Sequence, residues 1–271
     1  MRETILQTLD QLEQEQGFRV LYACESGSRA WGFTSADSDY DVRFIYAPSL
    51  EWYLRVNHPA NTFERMLPGD LDVVGWELRK TLQLFAACNL SLNEWLQSPE
   101  VYRTSPLHQE LVDLIPVYFN PKKSLFHYLR SAEKTAERYL DAQAIASRKV
   151  NVKKLFYLLR PIFACQWIVC QKTMPPTEYD GLLEIRDRWD TSFLPRSIYE
   201  EIDAIREAKV SLNEGDLVAV SPDVITWLQK TLVDIAAQAE NTPGDGSKDY
   251  TPLNRLLYRV VCDASGRRRP G

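Results

Sequence analysis

Histidine is scarce in this chain: only His58, His108 and His127 occur among 271 residues. Imidazole-based catalysis and zinc binding therefore have few candidates. The five cysteines, at positions 24, 88, 165, 170 and 262, are odd in number and include no C-x-x-C pair. That pattern excludes a disulfide framework and predicts reduced thiols in a cytoplasmic protein. The longest dominantly apolar run, Pro161 to Cys170, is about ten residues, half the roughly 20 that a membrane-spanning helix needs. No membrane partner is expected. The first residues carry an acid, Glu3, where a signal peptide would be basic and then apolar, so secretion is not expected either. An excess of positive charge is also missing, since 32 basic residues face 37 acidic ones for a net charge of −5. This excludes a wholesale nucleic-acid coat protein while leaving room for a local basic groove.

Carboxylates, metal ions and phosphate-binding backbone are what remains for chemistry. Apolar residues make up 45% and charged residues 25%, as in ordinary globular proteins, and the length suits one large or two ordinary domains.

Along the chain, Ile5, Leu6, Leu9 and Leu12 recur at helical spacing and Gly17 follows as a C-cap, which predicts an opening helix over 1–16. Residues 18–24 (FRVLYAC) read as a strand that ends in the small-residue turn Glu25-Ser26-Gly27-Ser28. A second strand is predicted over 39–47, stopped by Pro48, and a third over 71–77, passing into a helix at 78–88. Beyond Pro121 the pattern turns helical, over 122–147, 149–172, 197–208, 221–240 and 252–262. The resulting expectation is an α/β (α+β) domain over 1–118, a C-terminal α-helical domain over 119–262 and a flexible tail over 263–271.

The stretch with chemical content is Gly27-Ser28-Arg29-Ala30-Trp31-Gly32 followed by Ser38-Asp39-Tyr40-Asp41-Val42-Arg43. Strand side chains alternate, so Asp39, Asp41 and Arg43 are predicted to share a face. Neighbouring carboxylates repel unless a cation lies between them, and hard oxygen donors of this kind suit Mg²⁺ or Mn²⁺ completed by substrate phosphates. Asp72 adds a third acid on another strand. Three such groups could hold two ions about 4 Å apart for in-line displacement at phosphorus. The small residues Gly27 and Ser28 let backbone N–H groups approach phosphate oxygens. Asp37 is read as the cap of a turn.

In this order, G-S, then S-D-x-D, then a later Asp, the chain resembles the DNA polymerase β-type nucleotidyltransferase superfamily. More narrowly, GSRAWGFTSADSDYDVRFIY, LDVVGWELRK, NLSLNEWLQSPEVY and KKLFYLLRP resemble the predicted nucleotidyltransferases of the YcgL/RlaP type, associated with RNA repair. The resemblance implies a palm-like first domain and transfer of an NMP from an NTP to a hydroxyl acceptor, an RNA end, with release of pyrophosphate. It also implies that Gly27 and Ser28 hold the β- and γ-phosphates, that Asp39 and Asp41 bind two metal ions, and that Asp72 binds one of them and activates the acceptor hydroxyl. The roles of Arg29, Ala30 and Trp31 stay open. Rival readings keep the chemistry but act on a protein or small-molecule hydroxyl, or reduce the chain to an inactive nucleotide-binding protein or an RNA-binding module.

Further signals are less specific. Arg43 either pairs with the aspartates or meets a phosphate. Glu77 and Lys80 either join the site or form an i, i+3 pair. Lys149, Lys153, Tyr157 and Arg160, with Lys154 beside them, make a basic, aromatic helical stripe suited to a triphosphate or RNA. An R-x4-H pattern from Arg103 to His108 is interrupted by Pro106 and is discounted as a ribonuclease motif. Arg267–Arg269 form a basic tail that is read as solubilising rather than RNA-binding.

Overall fold

The computed structural model describes residues 1–34, 38–57, 59–189, 193–209, 213, 215–244 and 246–264. Asp37, His58 and the basic triplet Arg267–Arg269 lie outside the described residues. The chain divides into two units, one formed by Met1–Ala30, Asp39–Tyr118 and the chain from Gly246, the other by Trp31–Ser38 and residues 119–245. This division is discontinuous, unlike the single boundary expected after residue 118, and the last helix belongs to the first unit.

In the first unit, α1 (Arg2–Gln16) buries Ile5, Leu9 and Leu12, and Gly17 closes it at φ 66°, a left-handed conformation that suits glycine. There follow β1 (Phe18–Glu25), a single helical turn α2 (Gly27–Ala30), β2 (Tyr40–Pro48), α3 (Leu50–Tyr53), β3 (Thr62–Leu67) and β4 (Leu71–Glu77). Then come α4 (Leu78–Ala86), α5 (Leu90–Leu96), β5 (Val101–Arg103) and α6 (Pro106–Tyr118). The strands form one sheet in the order β3-β4-β2-β1-β5. Only β2 and β4 run parallel within it; the other pairings are antiparallel.

The stripe of α1 packs on one sheet face against Val20, Ala23, Val42, Phe44 and Val73. Alternation along β2 then turns Asp41 and Arg43 to the opposite face. In the parallel pair, Phe44 lies beside Gly75, and a Cβ on Gly75 would come within 2.2 Å of Cζ of Phe44. The ring thus occupies the space that any side chain at 75 would need. Gly75→Ala is expected to cost about 1–3 kcal/mol by overpacking, read as a lower urea midpoint; an unchanged midpoint would contradict this packing.

In the second unit, α7 (Pro121–Tyr139), α9 (Val152–Gln171) and α12 (Pro222–Asn241) pack together. The remaining elements are α8 (Ala142–Ser147), β6 (Lys149–Asn151), α10 (Tyr179–Leu183), a 3₁₀ turn (Arg186–Arg188), α11 (Arg196–Lys209) and β7 (Leu217–Ala219). Caps break one expected helix, 122–147, and delay the start of another, 149–172. Asp141 accepts from the Ala144 N–H and starts α8, and Asn151 accepts from the Lys154 N–H and starts α9, as such side chains do at N-caps. Residues 149–151 instead pair antiparallel with β7, so the second half is not purely helical. The final helix, α13 (Thr251–Ala264), returns to the first unit and packs on α4, α3 and β2. Residues 263 and 264 of the expected tail therefore close a helix.

Candidate functional site

The site lies at the end of the sheet where β1 ends and β2 and β4 begin. Two residues beyond the last of β1, Gly27 takes φ 62°, and a Cβ there would come within 2.1 Å of Oδ2 of Asp41. Glycine is required twice over, once for its backbone conformation and once so that the Asp41 carboxylate can lie against the turn. The turn is tied to β2 by the Ser26 N–H, which donates to the Asp41 carbonyl at 2.9 Å. Ser28 is buried within α2. Arg29 donates from Nε to the Asp39 carbonyl at 3.0 Å and lays its guanidinium 3.8 Å from the centroid of the Tyr40 ring. Arg29 thus fastens the turn to the start of β2.

The parallel register of β2 and β4 sets Asp41 directly beside Asp72. Both side chains are 28% exposed, and Arg43, 16% exposed, lies between them. Its Nη2 donates to Oδ1 of Asp41 at 2.7 Å and to Oδ2 of Asp72 at 2.8 Å. Its Nη1 reaches the Val42 and Asp72 carbonyls at 3.2 and 3.1 Å. Burial pushes the Asp41 carboxyl above its ordinary range, and the Asp72 and Asp39 carboxylates push the same way against the opposing pull of Arg43. Asp39 stands one residue before β2 and is exposed, so it borders the pair without joining the guanidinium bridge.

Beneath Asp41 lies a carboxylate that the sequence reading passed over. Glu25 ends β1 and is 1% exposed. It accepts the Asp41 N–H at 2.7 Å and the Tyr102 hydroxyl. Burial raises its carboxyl. The available signal was an acid closing a strand, FRVLYACE, that is apolar from Val20 to Cys24.

Among the described residues, no group of three or more His, Cys, Asp and Glu stands ready to hold a metal ion. The donor set nevertheless fits a hard divalent cation, because Asp41 and Asp72 already converge on one positive charge, and Mg²⁺ commonly takes only one or two carboxylates with phosphates and water. Arg43 is the ionic partner here, and it stabilises two half-buried carboxylates that would otherwise face each other. Arg43→Gln is expected to destabilise the metal-free protein by about 2 kcal/mol, less than for a fully buried pair because the groups are partly exposed. Thermal unfolding with and without Mn²⁺ checks this: the ion should restore part of the loss, and an unchanged melting temperature would contradict the bridge.

The other expected site residues lie elsewhere. Glu77 is five residues along β4 from Asp72, about 17 Å in an extended strand; its carboxylate caps α4 by accepting the Arg79 and Lys80 N–H groups. The Lys80 ammonium donates to the Thr62 hydroxyl, so these two residues do not join the carboxylates, and they meet through the Lys80 backbone N–H and the Glu77 carboxylate. Arg103 closes β5, Pro106 opens α6, and His108 stacks on Tyr22 at 4.3 Å while Nε2 meets the Leu96 carbonyl at 2.8 Å. That histidine is half-buried and held by the Tyr22 ring and a backbone carbonyl, a structural role.

In the second unit Lys149 is exposed and Lys153, Lys154 and Tyr157 are half-buried. The Lys154 ammonium lies 5.0 Å from the Tyr157 centroid and 5.2 Å from that of Tyr139. Arg160 departs from the expected exposed stripe. It is 3% exposed, its Nε donates to the Thr177 carbonyl at 3.0 Å, and its guanidinium covers Trp31 at 4.6 Å. Trp31, expected within the phosphate turn, belongs to the second unit, where its ring meets Tyr157 edge-on at 5.2 Å.

A mixed α/β unit that presents paired carboxylates beside a glycine-serine turn, joined to a largely helical unit, is the class that these features define. A family model described as "RlaP: RNA repair pathway DNA polymerase beta family" matches residues 1–259, and the chain belongs to that family. It is 39% identical over 263 residues to "Uncharacterized protein YcgL" of Bacillus subtilis (strain 168), covering 96% of each chain. Among the described residues no helix is long and apolar enough to cross a membrane.

Proposed function

We propose that the protein is a divalent-metal-dependent nucleotidyltransferase of palm-like architecture that moves an NMP from an NTP to a hydroxyl at an RNA end. The observation that carries this reading is the register that sets Asp41 beside Asp72, with one cationic group between them, against the Gly27–Ser28 turn. Membership in a DNA polymerase β-like, RNA-repair-associated family supports the same chemistry and the RNA acceptor.

Asp41 and Asp72, with Asp39 beside them, would hold one or two Mg²⁺ or Mn²⁺ ions; bound there, the metal supplies Lewis-acid polarisation of the phosphates and neutralises developing charge. Gly27 and Ser28 bind the β- and γ-phosphates. The acceptor oxygen attacks the α-phosphorus, the bond from that phosphorus to the α–β bridging oxygen breaks, and pyrophosphate leaves. Asp72 accepts the proton of the acceptor hydroxyl. Arg43 holds Asp41 and Asp72 in register. Lys149, Lys153, Lys154 and Tyr157 give the second unit a phosphate-binding face of its own, without the buried Arg160.

Incubation with α-labelled NTPs, Mg²⁺ or Mn²⁺ and separate pools of RNA, protein and small-molecule hydroxyls tests the reading. Label on RNA, with pyrophosphate released, is expected. Label on protein or a small molecule would replace the acceptor, and metal-dependent NTP binding without transfer would make the chain an inactive nucleotide-binding protein.

A further inference from the structure

At the end of the sheet away from the carboxylates, two cavities of about 350 and 370 Å³ adjoin and share Trp52 and Arg55 in their walls. Both lie within the first unit. Each is large enough for one nucleotide base with part of its sugar. The first is bordered by the Trp52 and Tyr53 rings and by Arg55, Arg79 and Lys80, with amides from Asn57, Asn61 and Gln83. Its one carboxylate, Glu77, is occupied by two backbone N–H groups of α4 and by the Tyr53 hydroxyl. Three cations against one spent carboxylate make this corner positive in a chain whose net charge is −5. The second cavity is bordered by Phe18, Tyr46 and Phe63 as well as Trp52. It is aromatic where the first is cationic.

We infer that these cavities bind two consecutive nucleotides of single-stranded RNA, with Trp52 between the two bases and Arg55 at the phosphate that joins them. A ring shared by two adjoining pockets, with cations and amides around it, is what recognition of unstacked bases requires: the ring takes π-faces, the cations take phosphates and the amides meet base edges. A duplex, whose bases are already stacked and paired, cannot enter two such pockets. The inference concerns binding alone and stands apart from the carboxylate chemistry; under the proposed transferase it would place part of the acceptor strand at this corner.

Fluorescence anisotropy with a labelled single-stranded RNA decamer, in EDTA and without NTP, tests it independently of any transfer activity. The wild-type chain is expected to bind the single strand and to prefer it to the corresponding duplex. Trp52→Ala should weaken binding about tenfold, the scale of one lost base–ring stack, and Trp52→Phe should recover most of it with an unchanged melting temperature. The exposed pair Arg55→Ala and Arg79→Ala should flatten the dependence of log K on log salt by about 0.7 for each phosphate contact removed. A decamer that does not bind, that binds no more tightly than duplex, or that binds Trp52→Ala and the double arginine variant as it binds wild type would overturn the inference. Those results would leave the metal-binding and NTP-binding chemistry of the carboxylates as it stands, and failure of label transfer would not alter the binding isotherms.

Discussion

Asp41→Asn is expected to lower nucleotidyl transfer by about a thousandfold or more while leaving the fold in place. Asparagine has the shape of aspartate, and its side-chain oxygen can still accept from Nη2 of Arg43, where Asp41 now accepts at 2.7 Å. The backbone anchors of this position also survive, because the Asp41 N–H and carbonyl are engaged by Glu25 and Ser26. Only the negative charge is lost. A metal-supported phosphoryl-type displacement draws several kcal/mol from that charge, and about 4 kcal/mol corresponds to a thousandfold in rate. Steady-state transfer of α-labelled NTP, alongside circular dichroism and a thermal melt, checks both halves. Near-normal turnover in a folded Asp41→Asn variant would remove the aspartate from the chemistry.

Gly27→Ala should be nearly as damaging through geometry alone. Its Cβ would stand 2.1 Å from Oδ2 and 3.0 Å from Cγ of Asp41, so either the turn or the carboxylate must move. The φ of 62° adds a backbone penalty for alanine of about 1–2 kcal/mol. A displacement approaching 1 Å in a reacting constellation can cost about a hundredfold in rate. The expected result is a hundredfold fall in kcat/KM with a drop of a few degrees in melting temperature. Gly32 provides the contrast: it also has positive φ, at 81°, yet a Cβ there meets nothing within 4 Å. Gly32→Ala should therefore lose stability without a comparable loss of transfer. Equal losses in the two variants would show that the approach of Asp41 to the turn is not what Gly27 protects.

What could be read from the sequence follows physical range. The first helix, the strands over 18–25, 40–48 and 71–77, and the helix after Glu77 were legible because apolar spacing and caps are local signals. The edge strand over 62–67 was missed, since FERML alternates poorly and is half-buried at most. The ribbon of 149–151 with 217–219 is too short for any period to announce it. At the site, the residue types were legible, but the parallel register that sets Asp41 against Asp72 is a long-range pairing that no local pattern encodes. Charge misled at Arg160: a basic residue at helical spacing reads as a solvent face, yet this one is covered by Trp31 and bonded to the Thr177 carbonyl. Glu25 was hidden for the opposite reason, because a terminal acid in a strand looks like the start of a loop until its partners Tyr102 and Asp41 are in place.

The central claim is that Asp41 and Asp72, from separate strands, act on one divalent cation. Its most direct measurement is Mn²⁺ binding by electron paramagnetic resonance, with a nonhydrolysable NTP present, for the wild type, Asp41→Asn and Asp72→Asn. The account predicts that each substitution alone removes the tight Mn²⁺ signal while the protein stays folded. Retention of wild-type Mn²⁺ affinity by either variant would contradict it.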